Sequence, residues 1–311
     1  MSLRVWVVFL FVVALALACG GRATDDTNVA NTTSSDDTSQ TDLVAAMKAV
    51  EPFFEHLRPP GPTDWLATFH EPGQTFAEYL RSNPTVPTSE RHTIYVLPLG
   101  TFSAEQSKAI AITAGYLAAF YGLTVKQTPQ QTLRRPMRAN DSRTNQISHK
   151  TQIRTGYIMD DILRPMLPTD AAALIAFTNE DLYPDESMSY VFGQASMENR
   201  VGVWSLYRLH DNADLHAFLL RTIKIATHET GHMFSMHHCI AWNCVMSGTN
   251  HLGETDSHPI DACPECMAKV CWFSHVTPAD RYKKLAAFCR ANGLARETDD
   301  FERKFAAVSS L

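Results

Sequence analysis

Two histidines separated by three residues constrain this chain more than any other feature. They are His228 and His232 in the stretch His-Glu-Thr-Gly-His. Residues four apart lie on one face of an α-helix, so both rings can reach a single metal ion. Glu229 stands beside the first histidine, where a carboxylate can take a proton from water held by that metal. The stretch therefore predicts a helix that carries a catalytic metal site.

A third histidine strengthens this prediction. His238 follows His232 by six residues, far enough for the chain to leave the helix and turn back, and the adjacent His237 is an alternative ligand. Three neutral imidazoles leave the fourth position of a tetrahedral zinc open for water, which is typical of catalytic sites. The chain contains 13 histidines, so the five-residue motif alone could belong to an ordinary surface helix. The third histidine and the cysteines that follow favour the metal site.

Four cysteines form a second group shortly after the histidines. They make two close pairs, Cys239 with Cys244 and Cys263 with Cys266. Two such pairs separated by a loop are typical of a closed structural zinc site with four thiolate ligands. Two disulfides, or simply buried thiols, are the alternatives. Met246 lies between the pairs and could form an apolar floor under the first metal.

The order of these residues resembles the signature of the archaemetzincins, a branch of the metzincin metalloproteases. The family pattern is HExxHxxGxxHC, then four residues, then CxM, and later CxxC. Here the same order appears as HETGHMFSMHHC at 228–239, CVM at 244–246 and CPEC at 263–266. The stretches 177–184, 190–195 and 247–256 are also similar, so the resemblance covers roughly residues 91–290.

The resemblance implies a metzincin-like zincin domain of mixed α/β (α+β) type, with a twisted mixed sheet, an active-site helix and a Met-turn at Met246. It implies zinc-dependent hydrolysis of a peptide or protein substrate, with Glu229 as the general base. The edge strand at 189–196 would bind that substrate as an added strand, and an ordinary interior strand is the alternative. Two zinc ions per chain are expected, one catalytic and one structural, and their implied ligands are His228, His232, His238, Cys239, Cys244, Cys263 and Cys266.

The sequence departs from the family pattern at Ser235, where the family has glycine. The helix must turn at this point toward the third histidine. If the turn needs a positive φ, serine would be strained by roughly 1–2 kcal/mol. The segment between Met246 and Cys263 is also one residue shorter than the usual spacing, which a loop can absorb.

The composition fits a sizeable catalytic domain with appendages. The chain has 311 residues, of which 45% are apolar and 19% charged, which is enough for one large core. Its formal net charge of −6, without a basic stripe carrying interleaved aromatics, argues against nucleic acid as a partner.

The first residues predict export. Arg4 precedes the apolar run 5–17, which is too short for a comfortable membrane span and is typical of a signal peptide over 1–18. The following Cys19 sits in a stretch that resembles a bacterial lipobox, which predicts a lipid anchor and a disordered tether over 19–42. The expected location is therefore extracytoplasmic, on the bacterial membrane. Plain cleavage after Ala18 and secretion is the alternative.

The remaining chain divides into an N-terminal extension at 43–90, without an assigned role, and a catalytic domain at 91–311. The expected strands are 93–97, 123–127, 172–177, 190–195 and 201–206, and the expected long helices are 103–122, 214–236 and 278–292. The segment 130–150 is expected to be a loop. Cys271 and Cys289 could form a disulfide or be buried thiols.

Three interpretations follow from the sequence. The first is an active zinc peptidase tethered to a membrane. The second is a catalytically inactive metal- or peptide-binding lipoprotein that keeps the fold, for which Ser235 is the reason. The third is a structural lipoprotein stapled by disulfides, in which the histidine motif is incidental.

Overall fold

A computed structural model of the protein describes residues 35–135 and 138–311. The predicted signal peptide, Cys19 and the first part of the predicted tether lie outside the described residues. The final eight residues of that tether are not irregular, because a helix begins at Ser35. No helix in the described part of the chain is long and apolar enough to span a bilayer.

A five-stranded sheet forms the centre of the molecule. Its strand order is β2-β1-β5-β8-β7, in which the first four strands are parallel and β7 is an antiparallel edge. A smaller sheet has the order β3-β4-β6. The strands are β1 Thr93–Pro98, β2 Thr124–Gln127, β3 Ser142–Thr144, β4 Thr151–Arg154, β5 Ala171–Thr178, β6 Asp181–Tyr183, β7 Gly193–Ser196 and β8 Val201–Ser205.

The central strands β1, β5 and β8 are mostly apolar and buried along almost their whole length, because both faces of the sheet are covered. Alternate residues of β5, such as Ile175 and Phe177, enter the main core beneath the long helices. The intervening residues, such as Leu174 and Ala176, enter a second core together with Ile158. Successive side chains of a strand point to opposite faces of the sheet. When both faces are covered, every position is buried, and the strand sequence becomes a nearly continuous apolar run, as is usual in parallel sheets.

The helices surround this sheet. The two that run beneath its centre, α4 and α6, contact each other and carry capped first turns. A π-helical segment, Tyr157–Leu163, precedes α5, and short 3₁₀ turns lie at Glu51–Phe53 and Ala139–Asp141. The α-helices are α1 Ser35–Val50, α2 Trp65–Thr68, α3 Phe76–Arg81, α4 Ala104–Tyr121, α5 Arg164–Met166, α6 Leu215–Met233, α7 Leu252–Ser257, α8 Pro264–Ser274, α9 Pro278–Ala291 and α10 Ala295–Val308.

The mixed α/β fold with a twisted mixed sheet is confirmed, and most predicted elements match within a few residues. The capping box at Ser103 is formed, and the same helix ends at Gly122 in a left-handed conformation with φ 65°. Two predictions were wrong in part. The segment 130–150 contains β3, and the predicted strand 190–195 is β7, which begins only at Gly193. Sequence periodicity is weak over strands of three or four residues, which explains both errors.

The N-terminal segment 43–90 packs into the same core as the rest of the molecule. Leu43, Ala46 and Val50 of α1 are buried there, as are Phe76 and Tyr79 of α3. Helices α1 and α3 both contact α8. This segment is therefore an integral part of the folded unit that surrounds the histidine motif.

Candidate active site

Helix α6 presents the first two histidines at its C-terminal end. Asp214 caps its first turn by accepting a hydrogen bond from the amide of Ala217 at 2.8 Å. Near the other end, Gly231 allows a close approach, because a Cβ there would lie only 2.6 Å from the sulfur of Met246. Met246 is fully buried. The methionine thus packs against the helix directly before His232, as a floor beneath the motif.

The turn that follows α6 is made at Ser235. Its φ is 60°, in the left-handed region where a side chain is unfavourable. The serine hydroxyl, however, accepts a hydrogen bond from the amide of Thr85 at 2.9 Å. That bond is unavailable to glycine and offsets part of the strain. The turn therefore forms with serine and returns the chain toward His238.

The three histidines of the motif converge on one point. The Nε2 atom of His228 lies 2.9 Å from that of His232 and 3.2 Å from that of His238. Each Nδ1 atom faces an acceptor on its other side: the carbonyl of Val245 for His228, the carbonyl of Met236 for His232, and the carboxylate of Glu71 for His238, at 2.9, 2.6 and 2.8 Å. His237 is exposed and does not join the cluster.

These contacts fix the tautomer of all three rings. A carbonyl or carboxylate oxygen only accepts hydrogen bonds, so each Nδ1 must carry the proton and each Nε2 must carry a lone pair. Three lone pairs that face one another at about 3 Å repel unless a cation lies between them. Tetrahedral zinc, with Zn–N bonds of about 2.0–2.1 Å, places its nitrogen ligands about 3.3 Å apart. The spacing of His228, His232 and His238 fits such an ion.

Burial favours the neutral form of His228 and His232 before any metal binds. It lowers the pKa of His228 to about 3, with the nearby His238 acting in the same direction. The pKa of His232 is also well below its usual value, for the same reason. Burial raises the pKa of the Glu229 carboxyl to about 8. A cation held by the adjacent histidines would favour the Glu229 carboxylate instead.

A small cleft of about 20 Å³, partly open to solvent, lies beside His228 and Glu229. Lys224, one turn earlier on α6, borders it and donates hydrogen bonds to the carbonyls of Thr255 and Asp256 at 3.0 and 3.1 Å. Burial lowers the pKa of this lysine to about 8. The cleft is lined by Lys224, Ile225, His228, Glu229, Val245, Ser247, Thr249, Thr255, His258 and Pro259.

The four predicted cysteines form a separate, buried cluster. Their sulfur atoms all lie within 4.8 Å of one another, and those of Cys239 and Cys263 are 3.6 Å apart. Tetrahedral zinc with Zn–S bonds of about 2.3 Å requires sulfur atoms about 3.8 Å apart, so the cluster fits that ion. Thiol hydrogen bonds from Cys244, Cys263 and Cys266 lower the pKa of Cys239, which favours a thiolate.

Disulfides are not part of this arrangement. All six cysteines in the described part of the chain are free and buried, including Cys271 and Cys289. The amides of Met246 and Cys263 point at the sulfur of Cys244 at 3.4 and 3.2 Å. Such donors stabilise negative charge on sulfur. The disulfide-stapled alternative therefore does not match the structure.

A third group of potential ligands, Asp64, His251 and Glu254, has a different explanation. The Nδ1 atom of His251 accepts from the amide of Glu254, so its Nε2 carries the proton that faces Asp64 at 3.3 Å. The Glu254 carboxylate accepts from the amides of Trp65 and Asn250. These bonds cap α7 and join it to the N-terminal segment.

Sequence reasoning missed the residues that the N-terminal segment contributes to the histidine cluster. Glu71 accepts the Nδ1 proton of His238, and the ring of Trp65 meets His238 edge-on with centroids 5.1 Å apart. Burial opposes ionisation of Glu71, but its hydrogen bond to His238 and the nearby Trp65 side chain leave its pKa lower than usual. No local pattern marks these residues, because 167 positions separate Glu71 from His238.

Two proteins that are similar to this chain carry the same family name, and a family model also matches it. The family model for "Peptidase family M54" matches residues 140–271. Human "Archaemetzincin-2" is 32% identical over 263 residues, covering 72% of this chain and 71% of that protein. "Archaemetzincin" of Archaeoglobus fulgidus is 38% identical over 109 residues, covering 35% of this chain and 65% of that protein.

Among solved structures, archaemetzincin from Methanopyrus kandleri is similar at 26% identity, with a TM-score of 0.49. The match covers 60% of this chain and 96% of that one.

Proposed function

This chain belongs to the archaemetzincin family, and we propose that its three-histidine cluster holds the zinc ion with which it acts as a metallopeptidase. The proposed ligands are His228, His232 and His238, with Glu229 as the catalytic base. Zinc-dependent hydrolysis of a peptide or protein substrate is the activity that family membership supports.

The convergence of three Nε2 lone pairs supports this site most strongly. Each ring is held in the required tautomer by an oxygen atom at 2.6–2.9 Å on its far side. Such contacts orient histidine ligands in metalloproteins. His228 is the partly exposed member of the three and borders the cleft, so a fourth position there is open to substrate and water.

Glu229 has the position that a general base requires. Bound zinc would lower the pKa of a coordinated water toward about 7 and polarise the scissile carbonyl. Glu229 follows the ligand His228 directly and borders the same cleft, so its carboxylate can take the water proton there. The same carboxyl group then returns the proton to the leaving amine. Its buried position keeps competing bulk water away from this transfer.

We propose a second, structural zinc on Cys239, Cys244, Cys263 and Cys266. The four sulfur atoms are buried and close, and the amides of Met246 and Cys263 both point at the sulfur of Cys244. A site with four protein ligands has no open position for water. The expected content is therefore two zinc ions per chain with different roles.

The edge strand β7 is the proposed binding surface for the substrate backbone. Phe192 accepts a hydrogen bond from the amide of Ser205, and the alternation of an antiparallel pair then turns the backbone groups of Gly193 and Ala195 away from β8. An extended peptide could pair with them as an added strand. The carbonyl of Ser189 already accepts from Arg143, Asn145 and Gln152, so the proposed surface is limited to 193–196.

We also propose, from the N-terminal sequence, that a signal peptide over 1–18 is removed and that Cys19 carries a lipid anchor. The folded domain would then lie outside the cytoplasm, at a bacterial membrane. In a detergent phase-partition experiment, the mature protein should enter the detergent phase. The Cys19→Ala control should remain in the aqueous phase. An aqueous wild-type protein would favour secretion.

The metal content of residues 35–311, together with a count of free thiols after chelation, tests both zinc sites. Two zinc ions are expected, one released readily and the other only as four thiols become reactive. One zinc with four protected thiols would favour the alternative, a catalytically inactive binding protein that keeps the fold. Absence of zinc with all thiols reactive would exclude both sites.

A further inference from the structure

The three histidines of the cluster differ in what holds their Nδ1 atoms. His228 and His232 donate to backbone carbonyls of Val245 and Met236, which lie within the motif region itself. His238 donates instead to a carboxylate, and both oxygens of Glu71 lie near its Nδ1 atom, at 2.8 and 3.0 Å. The third histidine is therefore held by a charged group from a distant part of the chain.

The surrounding N-terminal segment holds the whole turn that carries His238. The hydroxyl of Tyr79 donates to the carbonyl of Phe234 at 2.8 Å, and the amide of Thr85 donates to the hydroxyl of Ser235. Gln74 bonds to both sides of the turn: its amide nitrogen donates to the Ser235 carbonyl, and its carbonyl accepts from the amide of His237. These bonds fix the backbone near Glu71 relative to the histidine cluster.

Glu71 itself is held in place on its own side. Its carboxylate lies near the side chain of Trp65, which helps to lower the pKa of Glu71, and the Trp65 ring is buried and packs edge-on against His238. The backbone amide of Trp65 is in turn bound by the carboxylate of Glu254. A carboxylate that is braced in this way can hold the imidazole at a fixed angle.

We propose that Glu71 is a positioning residue for the catalytic zinc: it holds the His238 ring with Nε2 aimed at the metal and makes that nitrogen a stronger donor. This inference rests on the proposed function of the histidine cluster. A carboxylate on the far nitrogen of a ligand histidine raises its basicity, and loss of such a partner typically weakens metal affinity by about 10–100-fold. The turn after α6 contains Ser235 in a strained conformation with positive φ. The local sequence alone therefore does not fix the orientation of the His238 ring.

The test measures the zinc affinity of the histidine site and of the cysteine site in the Glu71→Gln variant and in the wild type. Both affinities are measured by chelator competition on the full folded protein. Glutamine keeps the shape and an accepting oxygen but removes the charge. The expected result is a histidine site weakened by about 10–100-fold and a cysteine site that is unchanged. Glu71→Asp should recover part of the affinity. Glu55→Gln is the matched control, since Glu55 is an exposed glutamate of the same segment that pairs only with Arg58 through its side chain.

The possible outcomes separate the positioning role of Glu71 from the proposed peptidase function. An unchanged histidine site in Glu71→Gln, with two zinc ions in the wild type, would overturn the positioning role and leave the proposed peptidase function intact. Equal weakening of both zinc sites would assign Glu71 to general stability and overturn the inference. A wild-type protein with zinc only on the cysteines would overturn the proposed function and this inference together.

Discussion

The histidine cluster and the cysteine cluster are neighbours in sequence but are built differently. Cys239 follows His238 directly, yet the cysteine ligands all come from residues 239–266, with backbone amides of the same region aimed at sulfur. The histidine cluster draws on α6, on a turn with a positive φ, and on Glu71 from the N-terminal segment. Its His228 is partly exposed at a cleft, whereas the four cysteines are buried.

This difference follows from the tasks that the two sites are proposed to perform. A structural site needs only four ligands and protection from water, which a short local segment can supply. A catalytic site must leave one position open, and then fewer ligands must be held more firmly by surrounding contacts. Mutations at the cysteine cluster should therefore affect mainly stability, and mutations at the histidine cluster should affect mainly activity and the affinity for the catalytic zinc.

The largest effect is expected from loss of a cysteine ligand. Cys263→Ser should remove the structural zinc and lower the free energy of unfolding by several kcal/mol, because structural zinc typically contributes about 10 kcal/mol of binding free energy. Thermal unfolding and zinc content measure this. Cys271→Ser is the control, since Cys271 is equally buried but outside the cluster. Similar losses in both variants would contradict a metal at the four cysteines.

Glu229→Gln should separate chemistry from metal binding. Hydrolysis should fall by roughly 10²–10⁴-fold, or about 3–5 kcal/mol of transition-state stabilisation, while both zinc ions remain. The reason is that glutamine cannot accept the proton. Peptide cleavage and metal content should be measured on the same sample. Activity within a few fold of the wild type would sink the assignment of Glu229 as the base.

Acid should destabilise the metal-free protein, because protons favour the unfolded state, in which the His228 ring is free to become charged. The pKa of His228 is about 3 in the folded, metal-free protein against 6.5 for the free side chain, because of burial. The unfolded state therefore binds more protons between these values, and stability is present above pH 6.5 and lost as the pH falls toward 3. The slope is about 1.4 kcal/mol per pH unit for each such group.

Denaturant unfolding of the chelator-treated protein at pH 7 and pH 5.5 measures the net slope, to which His232 contributes in the same sense and the raised pKa of Glu229 in the opposite sense. His228→Gln should flatten it, since glutamine does not titrate in this range. In the metal-loaded protein, protons compete with zinc for the same nitrogen atoms, and because burial lowers the pKa of His228 to about 3, zinc should be lost only well below pH 6. Release of the histidine-site zinc already at pH 6, with the fold intact, would contradict this expectation.

The smallest effect is expected at Ser235. Replacement by glycine relieves strain of roughly 1 kcal/mol but loses the bond to the Thr85 amide, worth a similar amount, so Ser235→Gly should change stability by less than about 1 kcal/mol. Ser235→Ala keeps the strain without the bond and should cost about 1 kcal/mol. Activity should stay near the wild-type value in both. A tenfold or greater gain in Ser235→Gly would instead indicate a site damaged by serine.

Much of the site was predictable because its signals are local. The spacing of His228 and His232 on a helix, the return to His238, and the two cysteine pairs are all properties of short stretches. The sequence raised a positive φ at Ser235 as a condition under which serine would be strained, and the structure has φ 60° there. The bond from Thr85 that supports the turn was not foreseeable, since 150 residues separate the two.

The sequence by itself determined the histidine and cysteine spacing, the long capped helices, and the apolar strands of the central sheet, because each depends on the chemistry of neighbouring residues. Only the tertiary structure decided the role of the segment 43–90, the length of β7, and the placement of Glu71 behind His238. Short strands carry little periodicity, and a contact across 167 residues leaves no trace in local pattern. Packing of the N-terminal segment against the core is what brings that carboxylate to the third histidine.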